Sequence, residues 1–521
     1  MSNKIIVFLF WALPAIRQIL LWVYWLQVKE YRFDRFLILL ETKEGRERLE
    51  IKFILLKFFV IFIILFFGNY WPAYLLLGWF NLRFLSEVIK KTIRIPKLTL
   101  RALELVGTSL LGVIIVFLLT IQSGIIISNL SLGEMLIVVL PFVGILWTAP
   151  LVNKTKQKLI KKAQERLKIV KPIVIGVTGS FGKSTTKEFV AHLLSFKYKV
   201  EKTEKNLNTD WGVANAAANL SKNTQVFVCE LGAYKKGEIK SSCEIVHPKI
   251  GVITGIEPQH LSLFGSMENL KKAKYELVES LPLGGLAIFN ATNEGAHELS
   301  ERAKSKGRSV ITYGVDVPTA DLYAKIKKIT TESVTADIKY EDKQFTITAP
   351  IRGEHFLQNL LAAIVVAREL KVDWEKIKDA IKSIHMTGKT MHIYKVNTAT
   401  VIDDSYNSTP NGFGSAIKYL SRFKNKRRVI ITSGIIELGE KTQEILTKLA
   451  KESATVADEI VLINPDFEDY FKEAVADTRI LKVAKGNALL DRLKYNLFRD
   501  CVILIEGRMP SIVTRELEKY K

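Results

Sequence analysis

Residues Gly176–Glu188 read GVTGSFGKSTTKE and follow the basic, apolar approach KIVKPIVI. A short β-rich run ends there in a loop of small residues, Gly179, Ser180 and Gly182, and Lys183, Ser184 and Thr185 then open a helix. That order suits phosphate. Glycines let backbone N–H groups approach its oxygens, and a helix N-terminus adds partial positive charge; Lys183 supplies a point charge and Ser184 a hydroxyl for Mg²⁺. The generic pattern asks for its first glycine at 177, where this chain has Val177 with Gly176 and Gly179 on either side. A plain glycine-rich strand-to-helix turn has a similar composition, and the Gly-Lys-Ser run favours a nucleotide over it.

Toward the N-terminus the composition changes, and the first 152 residues hold nearly all the long apolar runs. Residues 103–126 and 134–151 are each near the roughly 20 residues that span hydrocarbon. The run 53–80 carries Lys57 near its start and a break at Gly68, Asn69 and Pro72, and reads as one kinked span or a hairpin. Residues 5–26 are weaker, interrupted by Pro14 and Arg17, and no small-residue cleavage site follows them as in a removed signal peptide. After the last run come Lys154, Lys156, Lys158, Lys161, Lys162, Arg166, Lys168 and Lys171 against Glu165 alone. By the positive-inside rule this predicts a multi-pass protein of the cytoplasmic membrane with the rest of the chain in the cytoplasm, where ATP is. The basic loop from Arg83 to Arg101 fits the same side, and 103–151 then forms a hairpin. The segment 29–52, rich in both signs of charge, leaves three and four spans open. Much of the net charge of +22 flanks these runs. No nucleic-acid motif accompanies it, so anionic lipid headgroups are the expected partner, not nucleic acid. Cys229, Cys243 and Cys501 have neither metal-ligand spacing nor an even disulfide framework, and read as small buried residues in a reducing compartment.

Beyond residue 172, β-rich runs (IVIGV, QVFVCEL, KIGVIT, GLAIFN, SVITYG) alternate with charged helical stretches, which predicts a three-layer α/β domain. The run VTADIKYEDKQFTITAPI alternates like an edge hairpin, and helices are expected over 356–370 and 374–384. A second α/β unit follows a hinge near 385–391, with strands TATVIDD, RRVIITSG, EIVLIN and CVILIEG forming a small doubly wound domain. The expected divisions are a transmembrane helical region at 1–152, a basic linker helix at 153–172, an ATP-binding domain at 173–385 and a Rossmann-like domain at 386–521.

Several blocks in this half resemble the Mur ligases, ATP-dependent amide-bond-forming enzymes of peptidoglycan assembly. The likeness covers about 173–521. GVTGSFGKSTTKE looks like their ATP loop, and TEKNLNTDWGVANAAANL, VFVCELGAYKKGEI, GVITGIEPQHLSLFGSMENLKKAKYELVESL, GEHFLQNLLAAIVVAREL and SGIIELGE look like the blocks that follow. Asp403-Asp404-Ser405-Tyr406-Asn407 with Pro410 points to the type that adds D-alanyl-D-alanine to a stem peptide. The resemblance implies an activity: the γ-phosphate of ATP passes to a substrate carboxylate, and an amine displaces phosphate from the acyl phosphate. Such steps put negative charge on oxygen and call for cations and donors. The resemblance also implies roles. Glu230 and His260 match a second Mg²⁺ site, and Lys274 matches a lysine carried as a carbamate, an oxygen ligand for that metal. Asn290 resembles a residue that contacts the nucleotide base, and Asp403 and Asn407 match positions that touch nucleotide and substrate when the domains close. Read alone, His260 is a loop histidine, Lys274 one of several lysines on a solvated helix face, and Asp403-Asp404 an ordinary strand end.

The family normally begins with a domain for a uridine nucleotide, and the apolar region stands in its place here. Where the family has a linker Arg, this chain reads Gly388-Lys389-Thr390-Met391; Lys389 lacks its bidentate geometry. The expectation is therefore a membrane-anchored ligase acting on a cell-wall precursor, UDP-linked or lipid-linked. The alternative is a membrane-anchored nucleotide-binding module that regulates envelope assembly without ligating.

Overall fold

The computed structural model describes all residues except 1, 42, 68–70, 91–92, 123–125, 205–206, 260, 386–390, 406–407, 437, 476, 478–479 and 521. The chain divides into two compact units, Met1–Gln157 and Lys158–Lys521.

The first unit is helical. It contains α1 (Ser2–Val28), α2 (Phe33–Glu41), α3 (Lys43–Arg48), α4 (Ile51–Phe67), α5 (Trp71–Ile89), α6 (Leu100–Gln122) and the start of α7 (Ile126–Val170). Among the described residues three helices are long and apolar enough to cross a membrane, at Phe8–Val28, Leu100–Leu119 and Leu132–Val170. The run 53–80 falls on two helices, α4 and α5, of 17 and 19 residues. The weaker first run is a continuous helix through Pro14, because its interrupting charge is neutralised from within. Buried Arg17 pairs bidentately with Glu50, at 2.8 Å through both oxygens, and with Glu87 at 2.7 Å. Arg83 joins both carboxylates. Lys57 likewise meets Glu134 at 2.9 Å, and Trp11 Nε1 donates to the same carboxylate at 3.0 Å. Ions in an apolar interior persist only when paired and hydrogen-bonded in this way.

The second unit holds two sheets. The first contains β1 (Ile173–Thr178), β2 (Val200–Lys202), β3 (Val226–Glu230), β4 (Ile250–Ile253), β5 (Leu286–Asn290), β6 (Ser309–Val315), β7 (Leu322–Ile329), β8 (Val334–Tyr340) and β9 (Lys343–Ala349). Their order is β2-β3-β1-β4-β5-β6-β7-β8-β9, with β8 and β9 the expected antiparallel edge hairpin and β2 to β7 paired in parallel. Alternation along β1 sends Ile175 and Val177 to one face, where α8 (Lys183–Ser195) and the helix Glu354–Glu369 pack. Val174 goes to the other face, against helices that include Met267–Glu279. Apolar side chains on both faces require cover on both faces, which gives the three layers.

The second sheet has six strands among the described residues where four were expected. It contains β10 (His392–Val396), β11 (Ala399–Asp404), β12 (Arg427–Thr432), β13 (Glu459–Leu462), β14 (Leu481–Val483) and β15 (Cys501–Glu506), ordered β10-β11-β15-β12-β13-β14. The unexpected pair are the two edges: β10, antiparallel to β11, and the three-residue β14. Cys229, Cys243 and Cys501 are all free and buried.

Candidate functional site

β1 ends at Thr178, and the chain turns through Gly179 and Gly182, both at positive φ (149° and 73°), to start α8 at Lys183. A side chain at Gly182 would run into the carboxamide of Asn359, whose Oδ1 accepts from Thr186 Oγ1 at 3.2 Å. The loop is clamped by the segment after β4. Ser180 N–H donates to the Gly255 carbonyl at 2.7 Å, Ser180 Oγ exchanges hydrogen bonds with the Glu257 N–H and carbonyl at 3.0 Å each, and Thr254 Oγ1 donates to the Phe181 carbonyl. The result is a fixed cradle of backbone at a helix N-terminus, a geometry that binds phosphate.

Lys183 lies folded over this loop, its Nζ donating to the carbonyls of Gly179 at 2.7 Å and Ser180 at 3.3 Å; burial lowers its pKa. Ser184 is exposed, and its Oγ donates to Glu230 Oε2 at 2.8 Å. Thr185 is half-buried in the first turn of α8. Glu230 ends β3 directly beside β1, with Val177 as its register partner. Its second oxygen accepts from Asn208 Nδ2 at 2.9 Å, and the buried ammonium of Lys187 stands 3.7 Å from Oε2 while donating to the Thr203 carbonyl at 2.8 Å.

Lys274 reaches the same end of the sheet because of two glycines. A Cβ at Gly176 would stand 2.8 Å from Leu277 Cδ1, and one at Gly251 3.0 Å from Leu277 Cγ, so the helix Met267–Glu279 packs closely over these strands. Lys274 is 3% exposed, which overturns its reading as part of a solvated face. Among the described residues its ammonium has no hydrogen bond or ion pair; the Phe264 ring centroid lies 5.8 Å from Nζ. Burial first, and then the charge of Lys183, push its pKa down to about 7 against the pull of Glu238, Glu276 and Glu230. Lys183, Ser184, Glu230 and Lys274 are thus brought together.

Asn290 ends β5 with its carboxamide committed to the protein: Nδ2 donates to the Thr254 carbonyl at 2.9 Å and to Gln358 Oε1 at 3.1 Å, and Oδ1 accepts from Thr292 N–H at 3.0 Å. Asp403 Oδ1 accepts from the N–H and hydroxyl of Ser405 at 3.2 and 2.6 Å. Its neighbour Asp404 is no ordinary strand end. It is buried and holds the Met391 N–H at 3.2 Å; burial first, and then the charge of Asp403, push its pKa up to about 7, and its register partner Glu506 is raised by its own burial and then by the charge of Asp404. His260, Asn407, Lys389 and Thr390 lie outside the described residues. Among the described residues no three His, Cys, Asp or Glu side chains cluster to hold a metal. The oxygens of Ser184 and Glu230 are what a cation would find, and this suits Mg²⁺, which takes one or two protein ligands beside substrate phosphates. Lys187, Asn208, Asn359 and Glu257 were not anticipated as parts of the site. Lys187 lies inside the loop block itself, but only the packing of α8 turns it inward.

Residues 177–367 match the Mur ligase middle domain and residues 389–508 the Mur ligase, glutamate ligase domain, together more than half of the sequence. The chain belongs to the Mur ligase family. Within it the chain is similar to the MurF type. The UDP-N-acetylmuramoyl-tripeptide–D-alanyl-D-alanine ligase of Bacillus subtilis is 29% identical over 292 residues, 56% of this chain and 62% of that protein. A crystal structure of MurF from Acinetobacter baumannii superposes with a TM-score of 0.63 at 27% identity, over 70% of this chain and 81% of that one. MurF ligase from Thermotoga maritima, solved in complex with ADP, shares the fold at TM-score 0.60 and 24% identity, over 70% and 83%. The chain therefore spans less than two thirds of the length of the Bacillus relative, and neither family model reaches its first 176 residues.

Proposed function

We propose that this chain is a membrane-anchored, ATP-dependent, ADP-forming carboxylate–amine ligase of cell-wall precursor synthesis, MurF-like in its chemistry. The observation that carries this reading is the convergence of the phosphate loop, the Ser184–Glu230 pair and the buried Lys274 at one end of one sheet.

In this reading ATP phosphates lie along the loop N–H groups at the N-terminus of α8, and Lys183 turns from the Gly179 and Ser180 carbonyls onto phosphoryl oxygens. Mg²⁺, when held by Ser184 and Glu230, neutralises charge on the phosphates. The acceptor carboxylate attacks the γ-phosphorus and ADP leaves. The amine then attacks the acyl carbon, phosphate leaves, and the nitrogen gives up a proton. Both steps build charge on oxygen, which Lys183 and the loop donors meet. Lys274 fits the carbamate reading: its nitrogen must be neutral to add CO₂, burial favours that form, the new N–C bond forms with release of one proton, and the resulting anion would offset Lys183. His260 is its proposed companion at the second metal, and Asn290, Asp403 and Asn407 are proposed nucleotide and substrate contacts.

Likeness to relatives named for D-alanyl-D-alanine supports that dipeptide as amine, with a UDP-linked or lipid-linked muropeptide as acceptor. Three apolar helices of spanning length support a multi-pass membrane location, and the basic run after residue 153 supports a cytoplasmic face for the catalytic unit. The test is phosphate release by the full chain in lipid, with Mg²⁺-ATP, D-alanyl-D-alanine and either acceptor, beside Lys183→Ala. Release that needs both co-substrates and vanishes in the variant is expected. Nucleotide binding with no release from any donor and acceptor would leave the regulatory module instead.

A further inference from the structure

Glu257 is a buried acidic side chain that the reaction above does not use. It is 6% exposed, and its two ends belong to different sheet domains of the second unit. Its backbone is tied to the phosphate loop through Ser180 Oγ, at 3.0 Å on both the N–H and the carbonyl. Its side chain reaches the helix Pro410–Leu420, where Oε2 accepts the Asn411 N–H at 3.3 Å. Among the described residues Oε1 has no hydrogen-bond partner, and it is buried. Burial raises the carboxyl pKa to about 8 against the opposing pull of the Asn411 hydrogen bond.

The first turn of that helix explains the contact. Pro410 has no N–H, and the Gly412 N–H is capped by Thr409 Oγ1 at 3.1 Å. The Asn411 N–H is left pointing out of the helix, where an acceptor oxygen is favoured. A buried acid with one oxygen idle is a poor choice for stability, since the unmet acceptor carries its full desolvation cost. It is a good choice for a contact that must follow a moving neighbour.

We propose that Glu257 is a positioning residue that couples the phosphate loop to the placement of the C-terminal domain. The inference rests on the ligase reading. Any shift of Ser180 as the loop takes up a triphosphate carries Glu257 with it, because both backbone groups of Glu257 are held by the Ser180 hydroxyl. The carboxyl oxygen in turn draws the N-terminus of the helix Pro410–Leu420, and with it the C-terminal sheet domain. Filling of the loop and seating of the C-terminal domain become one event, as lid closure requires.

The test uses the full chain in lipid nanodiscs, with dyes on Ser305→Cys and Lys482→Cys; the native cysteines are all buried, so the added thiols label selectively. Glu257→Gln keeps an acceptor for the Asn411 N–H, Glu257→Ala removes it, and Glu257→Asp keeps the carboxyl group but shortens the reach. The alanine and aspartate variants should bind ADP within about twofold of the parent, lose the nucleotide-dependent change in dye transfer, and turn over roughly tenfold or more slowly. Glutamine should restore both. Turnover and dye response within about twofold of the parent in alanine or aspartate would overturn the proposal, as would a loss that glutamine fails to restore. A parent protein that changes dye transfer with nucleotide but never releases phosphate would refute the ligase reading alone.

Discussion

Replacing Lys274 by Met should make the ligand-free protein more stable, by an amount that shrinks as pH rises. The Lys274 ammonium is 3% exposed and its pKa falls from 10.5 to about 7. Below about pH 7 the native chain must carry a buried cation, and at 1.36 kcal/mol per pH unit the full penalty is about 5 kcal/mol. Above pH 7 the native amine is neutral while the unfolded chain still binds the proton up to 10.5. Wild-type stability therefore rises across that interval, and the penalty is about 2 kcal/mol at pH 9. Relaxation and water penetration reduce the advantage of Met at pH 6 to roughly 2–4 kcal/mol. Thermal unfolding of both proteins in detergent, without metal or CO₂, at pH 6 and pH 9 checks this. A Met variant less stable than the parent at pH 6, or an advantage that does not change with pH, would refute the reasoning.

Lys183→Ala should lower phosphate release by roughly a hundredfold or more and leave the melting temperature almost unchanged, because among the described residues of the ligand-free protein Lys183 bonds to loop carbonyls alone; coupled-enzyme kinetics and calorimetry read the two. Glu230→Gln removes the charge that accepts from Ser184 and Asn208 while the Lys187 ammonium keeps Glu188 at 3.5 Å, and should cost about 1–3 kcal/mol, seen in chemical denaturation, with a higher Mg²⁺ requirement. Gly182→Ala meets both a positive φ and the Asn359 side chain, and should weaken ADP binding in calorimetry; Gly237→Ala, with φ 88° but open space around it, bears only the conformational cost of roughly 1–2 kcal/mol. Carbonate washing of membranes should leave the chain in the pellet, and its appearance in the supernatant would refute the spanning reading.

The cradle was legible in the sequence because its ingredients are contiguous: a β-rich run, glycines where φ is positive, and Lys-Ser opening a helix. The blocks that supply Glu230 and Lys274 were legible only as resemblance, since each is remote in sequence and converges through parallel pairing and close helix packing. Gly176 looked like a misplaced motif glycine, yet its role is to admit Leu277 and so bring Lys274 inward. The solvated-face reading of Lys274 failed for the same reason. The edge strand Leu481–Val483 is too short to show a period, and His392–Val396 alternates too weakly to mark itself. In the first unit, Arg17 and Lys57 lowered apparent hydropathy because their partners, Glu50, Glu87 and Glu134, lie far along the chain.

Those distant partners bear on how the first unit is made. Arg17 leaves the ribosome long before Glu50 and Glu87 exist to receive it, so in the proposed spanning arrangement α1 would enter a bilayer, if alone, carrying an unanswered charge. Its integration should wait for α5, and the early helices should pass through the insertion machinery as a group. A reporter fused after residue 28 would then be poorly anchored, and one fused after residue 89 firmly so.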